Sequence, residues 1–559
     1  VEDDGAATLR EPDEGEAALV DPVAAGRLAL ARGAFAEARR LFEAARDAAG
    51  APALEGLSWA AWWLADDVAM FDLRERAYLA YRTEGDVRGA ARMATWLGTD
   101  HVDFRGEAAV AQGWYGRARR LLEDLAPCEE HGWLLVHEAE KRLFANDTEA
   151  ARGLGARAAE IGRAGRAVDL EMMGLATEGL ALVTVGELDA GMSRLDQAVA
   201  AAVGGEFAEK WAMVWCCCYM LNACERVRDY DRAGQWCRRI EELTAQARMQ
   251  MLNLACRAYH GGVHIHRGAW AEAERTLVDA AAQLAAIRPP MVAEATVRLG
   301  ELRRRQGRLD EAASIFAELE GHGLALLGTA ELCLDRDDPA GARDRAAQYL
   351  RDIPSHIGTL RAGGLELLVR AHVALGEPDT ARAAADELAL IADGVGTDSL
   401  RATARVAVGS VAAATGDAGL ARVAFEDATR LFHRCEAPFE AGRARIELAR
   451  VLAGLGRPRH ALRELRAAAA TLRRIGAVRE ADRADRLAGD LEPVRVPTLS
   501  RRECEVLRLV ADGYGDRAIA ATLVLSEHTV HRHVANILGK LGCPSRSAAV
   551  AEALRTGLL

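Results

Sequence analysis

The sequence predicts an all-α protein, a long α-solenoid of helical hairpins followed by a compact four-helix domain. Three observations predict it. Helix formers dominate: apolar residues make up 50% and charged residues 28%, but aromatics only 5%, and Ala, Leu, Arg and Glu supply the bulk. A turn-centred pattern recurs along most of the 559 residues, a length too great for one compact core. A Pro-bearing stretch near the C-terminus then interrupts the pattern, and short, well-capped helices follow it.

Residues 1–20 are acidic and poor in large apolar side chains, which predicts disorder. An acidic start is the opposite of a signal peptide, and no run approaches the ~18 consecutive apolar residues of a membrane span. A cytoplasmic protein without a membrane partner is therefore expected. Eleven cysteines, an odd number scattered over a large chain, fit reduced thiols better than a disulfide framework.

Residues 21–489 carry the repeat. A Gly or polar turn residue is followed five places on by a small residue, and nine and twelve places on by apolar ones. The pattern is clearest at Gly33/Ala38/Phe42/Ala45, Gly268/Ala273/Leu277/Ala280, Gly307/Ala312/Phe316/Leu319, Gly416/Ala421/Phe425/Ala428 and Gly456/Ala461/Leu465/Ala468. Weaker copies start at Gly85, Gly113, Asn146, Gly186, Arg228, Asp337 and Gly376, and from Asn146 onward the starts lie 39 to 42 residues apart, with one interval of 30. Such a unit is a helical hairpin: the turn residue supplies φ > 0 to end the first helix. The small residue lets the second helix approach closely, and the later pair fills the groove between helices.

A linker is expected over residues 490–498, and residues 499–559 form the terminal domain. Ser500 is a good N-cap for a first helix whose Val506, Leu507 and Val510 share a face. Asp512-Gly513 ends it, and Asp516 is the expected cap of a short second helix with Ile519, Ala520 and Leu523 inward. Ser526 caps a third helix, in which Val530, Val534, Ile537 and Leu541 form one apolar stripe. The opposite face presents His528, His531, Arg532, Ala535 and Asn536. A short helix, a tight turn and a longer helix with a polar N-terminal half suit the major groove, which admits one helix. Ser545 starts a fourth helix. From Thr498 onward eight basic residues face six acidic ones, so the preceding chain carries all of the net charge of −12 and two negative charges more. The terminal domain is thus the part fitted to approach phosphate.

These residues closely resemble the LuxR (GerE-type) helix-turn-helix. The match runs through Leu499-Ser500, Arg502-Glu503, Glu505-Val506-Leu507, Ile519-Ala520, Ser526, Thr529-Val530, His533, Asn536-Ile537 and Lys540-Leu541. The resemblance implies a sequence-specific transcriptional regulator that binds double-stranded DNA as a homodimer through its fourth helix. It assigns base reading to His531, Arg532 and Ala535 within an exposed face that includes Asn536, places Thr529, His533 and Lys540 toward the DNA backbone, and makes Arg517 a phosphate partner. Three positions depart from the family pattern. His531 stands where Lys or Arg is usual, Gly515 where Ser is usual, and Asp516 where Asn is usual. Histidine's reference pKa of ~6.5 makes its charge pH-dependent where a lysine's is not.

The body resembles tetratricopeptide repeats, with a HEAT-like array as the alternative reading of a period longer than ~34 residues. It is similar to the helical-repeat portion of MalT-like regulators, without their ATPase: the pair Gly539-Lys540 is followed by Leu, so no phosphate-binding loop is present. A repeat body of this kind is a sensor, an oligomerisation surface or a protein-interaction surface. A protein or small-molecule ligand and RNA polymerase are compatible partners. The alternative is an interaction scaffold that the terminal domain only localises.

Other clusters read as packing. The segment from Cys216 to His266 contains Cys216, Cys217, Cys218, Cys224, Cys237, Cys256, His260, His264 and His266, but adjacent cysteines on a helix point about 100° apart, and buried thiols are the simpler reading. Trp211, Trp215, Tyr219 and Trp236 are read as core, Pro289-Pro290 as a turn, and the Arg-rich run from Arg457 to Arg486 as a solvated helix face. With no nucleophile–base arrangement, carboxylate pair or metal spacing, the sequence predicts neither an enzyme nor a cofactor or metal site.

Overall fold

The structure, a computed structural model, describes residues 21–247, 250–287, 291–319, 321–491, 499–555 and 558–559. The N-terminal segment expected to be disordered, the Pro289-Pro290 turn and nearly all of the expected linker lie outside the described residues. Among the described residues there are 29 helices and no strand. The chain divides into two compact units, Val1–Asp485 and Arg486–Leu559.

In the first unit nearly every helix packs on the next, and the first helices of most successive hairpins also pack on one another. This is a tetratricopeptide-like stack of hairpins. The two helix types differ accordingly. First helices such as Val168–Val185 are apolar nearly all round, with twelve buried residues. Second helices such as Pro458–Ile475 bury a single stripe, Ala461, Leu465, Ala468, Ala469 and Leu472, and leave their arginines outside, as an amphipathic surface helix must.

Eleven of the twelve turn positions read from the sequence, from Gly33 to Gly456, have positive φ. Gly113 does not: it lies inside the helix Ala108–Leu122, and the turn falls at Gly106 with φ 66°, forty residues before Asn146. Arg228 has φ 55°, uncommon for a long side chain. Its guanidinium is anchored from outside the turn, at 2.7 Å from Thr403 Oγ1 and 2.9 Å from Glu366 Oε2.

The spacing rule describes packing as well as turns. Ala38, Ala273, Ala312, Ala421 and Ala461 are wholly buried, and the apolar residue four places beyond each is at most 3% exposed. Glycines on the facing first helices form the floor of the groove. A Cβ on Gly26 or Gly56 would come within 2.7 or 2.3 Å of the Phe42 ring, and one on Gly300 or Gly328 within 2.7 or 2.4 Å of Phe316.

The body also contacts itself at long range. Thr359 Oγ1 donates to the Thr184 carbonyl at 2.8 Å, Thr397 Oγ1 to the Val227 carbonyl at 2.6 Å, and His266 Nε2 lies 3.2 Å from the Cys435 carbonyl. These partners are 169 to 175 residues apart. Among the described residues no helix is long and apolar enough to cross a membrane.

Candidate nucleic-acid interface

Four helices build the terminal domain: α1 (Arg501–Ala511), α2 (Asp516–Leu523), α3 (Glu527–Leu541) and α4 (Arg546–Arg555). A capping box opens α1. Ser500 Oγ accepts from the Glu503 N–H at 3.3 Å, and Glu503 Oε2 accepts from the Ser500 N–H at 2.6 Å. Two orphan donors are satisfied reciprocally. Glu503 is only 3% exposed, and the Lys540 ammonium reaches its Oε2 at 2.6 Å from the far end of α3. Burial works to raise the Glu503 carboxyl pKa, but Lys540 and the Ser500 N–H outweigh it and hold it below the usual carboxylate range.

Glu503→Ala is therefore expected to destabilise this domain by about 1–2 kcal/mol, the scale of a lost cap. The contribution should be present above the unfolded carboxylate pKa of ~4.3 and fade as pH falls through the lower folded value. Denaturation of parent and variant at pH 7 and pH 3 checks this; equal midpoints at pH 7 would discard the box as a stabilising device.

In the same first turn of α1, Arg502 donates to the Leu523 carbonyl at 2.5 Å and pairs with Glu505 at 2.7 Å. It thereby ties down the end of α2, where Val524 takes a left-handed φ of 54°. The cap of α2 differs from the expectation: Gly515 is the N-cap and Asp516 the first helical residue. The Asp516 carboxylate instead binds Arg546 of α4 at 2.6 Å and lies 3.8 Å from His531 Nδ1 on α3. An added charge at this position is thus neutralised within the domain.

α3 starts at Ser526, whose Oγ accepts from the Thr529 N–H at 3.2 Å, and stops at Gly542 with φ 64°. Val530, Val534, Ile537 and Leu541 are at most 9% exposed and share a core with Val506, Leu507 and Ile519. With that stripe turned inward, His528, His531, Arg532, Ala535 and Asn536 are all exposed, and His533 is half-buried beside them. Arg517 stands out from the first turn of α2, 93% exposed and 3.7 Å from Glu527. Two of the expected backbone contacts have partners inside the domain: the Thr529 hydroxyl lies 2.7 Å from Ser526 Oγ, and Lys540 is engaged by Glu503. The anchoring roles of Arg502, Glu503 and Arg546 were not read from the sequence; the Ser-x-x-Glu spacing could have signalled Glu503.

A short helix, a left-handed turn and a longer helix exposing its polar N-terminal half define a helix-turn-helix DNA-binding domain. The family model described as "Bacterial regulatory proteins, luxR family" matches residues 497–553. The spore germination protein GerE of Bacillus subtilis is 44% identical over 63 residues, 11% of this chain and 85% of that protein. The chain belongs to the luxR family of bacterial regulatory proteins, a family of DNA-binding transcription regulators. The transcriptional regulatory protein DegU of Brevibacillus brevis is 51% identical over 59 residues, which are 11% of this chain and 25% of DegU; the chain thus spans a quarter of that relative's length. The body is similar to a solved structure of the APC/C hetero-tetramer Cut9–Hcn1, at 14% identity and a TM-score of 0.44 over 85% of this chain and 94% of that one.

The remaining clusters are resolved by their surroundings. Cys216, Cys217, Cys224, Cys237 and Cys256 are buried; burial pushes the first four thiols up, Cys237 to about 12, and a hydrogen bond with Cys218 together with burial raises Cys256, away from thiolate chemistry. His260 and His264 stack at 4.2 Å, and His260 pairs with Glu241. Among the described residues no group of three or more His, Cys, Asp or Glu is placed to hold a metal. Trp211 meets Trp96 at 4.5 Å and Trp133 at 4.8 Å and borders a cavity of about 660 Å³, whereas Trp236 donates to Asp196 and Trp215 to Glu140. In the Arg-rich run, Arg473 pairs with Asp485, and Arg483 with Glu447 and Glu480.

Proposed function

We propose that this chain is a sequence-specific regulator that inserts α3 into the major groove and binds as a dimer, with the helical body acting as its sensor or interaction domain. The carrying observation is the division of α3 into a buried apolar stripe and an exposed face holding His531, Arg532, Ala535 and Asn536. Arg532 is the principal base reader, since an arginine's fork matches the O6/N7 edge of guanine. Arg517 and His533 face phosphate. Dimer formation through α4 is supported by Leu554, 63% exposed while its helix neighbours Ala549 and Ala553 are buried. One such domain reads few base pairs, so paired half-sites about one helical turn, ~34 Å, apart are expected. RNA polymerase and a ligand of the body are the further partners of this reading.

The test is selection of duplexes from a random library by the full chain, followed by footprinting. Arg532→Ala should relax preference at one base position per half-site by ~1–3 kcal/mol and leave the others intact. Affinity should fall with salt by ~0.9 log units per log of salt for each phosphate neutralised. Failure to enrich any sequence, or an unaltered preference in Arg532→Ala, counts against α3 as the reading helix.

A further inference from the structure

The helical body forms an open cavity of about 240 Å³ whose walls carry five arginines and five glutamates. Such a concentration is unusual in a body otherwise packed with Ala and Leu, because burying ion pairs costs desolvation and gives little net stability. Most of these charges are committed to each other. Arg228 pairs with Glu366 at 2.9 Å, Arg304 with Glu301 at 2.8 Å, Arg305 with Glu440 at 2.8 Å, and Arg298 with Glu225. Glu331 is held by Arg370 at 2.5 Å.

What is left over is one guanidinium and two acceptor oxygens of glutamates already paired. Arg443 lines the cavity but makes no ion pair among the described residues; its guanidinium only rests over the Phe439 ring, 5.8 Å from the centroid. Glu331 Oε2, 3.4 Å from the Arg304 guanidinium, and Glu440 Oε2 are buried without a hydrogen-bond partner, so each can still accept from a further donor. Leu324, Leu327, Leu367 and Phe432 supply an apolar wall, and His266 beside them is held neutral by burial, its pKa lowered to about 4.

We propose that this cavity binds a small zwitterion of the amino-acid type, with its carboxylate on Arg443, its ammonium toward Glu440 and Glu331, and its side chain on the apolar wall. A simple anion would leave the two glutamate oxygens without a donor, and a simple cation would leave Arg443 uncompensated. The volume suits one amino acid rather than a peptide chain. The proposal deepens the sensor reading of the body and rests on it only for a regulatory consequence.

Calorimetric titration of the full chain with each of the twenty protein amino acids, and with acetate and methylammonium as single-charge analogues, tests it. Saturable binding of at least one apolar amino acid is expected, with neither analogue competing at equal concentration. Arg443→Gln should weaken that binding about tenfold or more, as loss of a charge-assisted bond does, and Glu440→Gln should also weaken it. Because Arg443 has no close ion pair to break and only adds to the field that keeps Glu331 ionised, Arg443→Gln should stay folded with a modestly lowered melting temperature, and it decides the matter alone should Glu440→Gln misfold. No binding by any amino acid, equal binding of acetate, or undiminished binding in Arg443→Gln overturns the proposal. DNA affinity measured on the same preparation keeps the outcomes separate: its absence would count against the DNA-reading function and leave the cavity result standing.

Discussion

Replacing Arg304 by Met is expected to destabilise the helical body by about 3–5 kcal/mol, the cost of breaking a buried ion pair from one side. Arg304 is 4% exposed and serves three carboxylates, Glu301 at 2.8 Å, Asp335 at 2.6 Å and Glu331 at 3.4 Å. Methionine fills much of the same volume but leaves these acids facing one another without their shared cation. Burial alone would raise the Glu331 carboxyl; Arg370 and Arg304 together hold it well below the usual range, so removing Arg304 must let it rise. Urea denaturation checks the size of the effect, and adding Glu301→Gln to the variant should recover part of the loss. A decrease under ~1 kcal/mol, the range of exposed pairs, would show that the network is hydrated and cheap to open.

Acidification from about pH 6.5 to about 4 should draw a stability loss from His266, against an opposing gain from Glu209, whose carboxyl burial raises to about 7. The His266 ring stacks on Tyr230 at 3.9 Å and its Nε2 lies 3.2 Å from the Cys435 carbonyl, which fixes the neutral tautomer with Nε2–H donating. Burial is the main cause that lowers its pKa to about 4, and Arg305 and Arg228 add to it against the opposing Glu440. The unfolded chain, with a value of ~6.5, binds a proton between these limits that the folded protein does not. The His266 share of the loss is therefore absent above ~6.5 and grows as pH falls to about 4, to on the order of 3 kcal/mol. The stability that Glu294, held near 2, contributes is lost only at lower pH. His264 and His433 are also lowered by burial, so the measurement is the difference between parent and His266→Phe, which keeps the stack. The variant's denaturation midpoint should fall less between pH 7 and pH 4.5; parallel profiles would remove His266 as the source.

Local constraints made the terminal domain legible. Its caps, its apolar stripe and the left-handed turns that end its helices are each set within a few residues, so spacing alone places Val530, Val534, Ile537 and Leu541 inside and Arg532 outside. The repeat turns were legible for the same reason, since positive φ selects Gly, Asn or Asp, and Arg228 alone of the eleven departs from that choice. The rule slipped at Gly113, where a helical glycine imitates a turn glycine. What the sequence hid is what distant helices assemble. Arg443 and Glu331 reach one cavity from points 112 positions apart, and Trp96, Trp133 and Trp211 meet from three hairpins. Asp516 looked like a cap because aspartate often is one. Only the nearby Arg546 shows why it turns elsewhere.

The bonds from Thr184 to Thr359, from Val227 to Thr397 and from His266 to Cys435 also constrain how such a chain can change in length. In a solenoid stabilised only by neighbouring repeats, a unit can be gained or lost at little cost, because each interface is the same as the last. Here an extra hairpin inserted between residues 268 and 358 would displace all three bonds by one unit at once and set Arg228 against a helix that lacks Thr403 and Glu366. The number of hairpins between those partners is therefore part of the fold's specification, as closely fixed as the register of a strand pair.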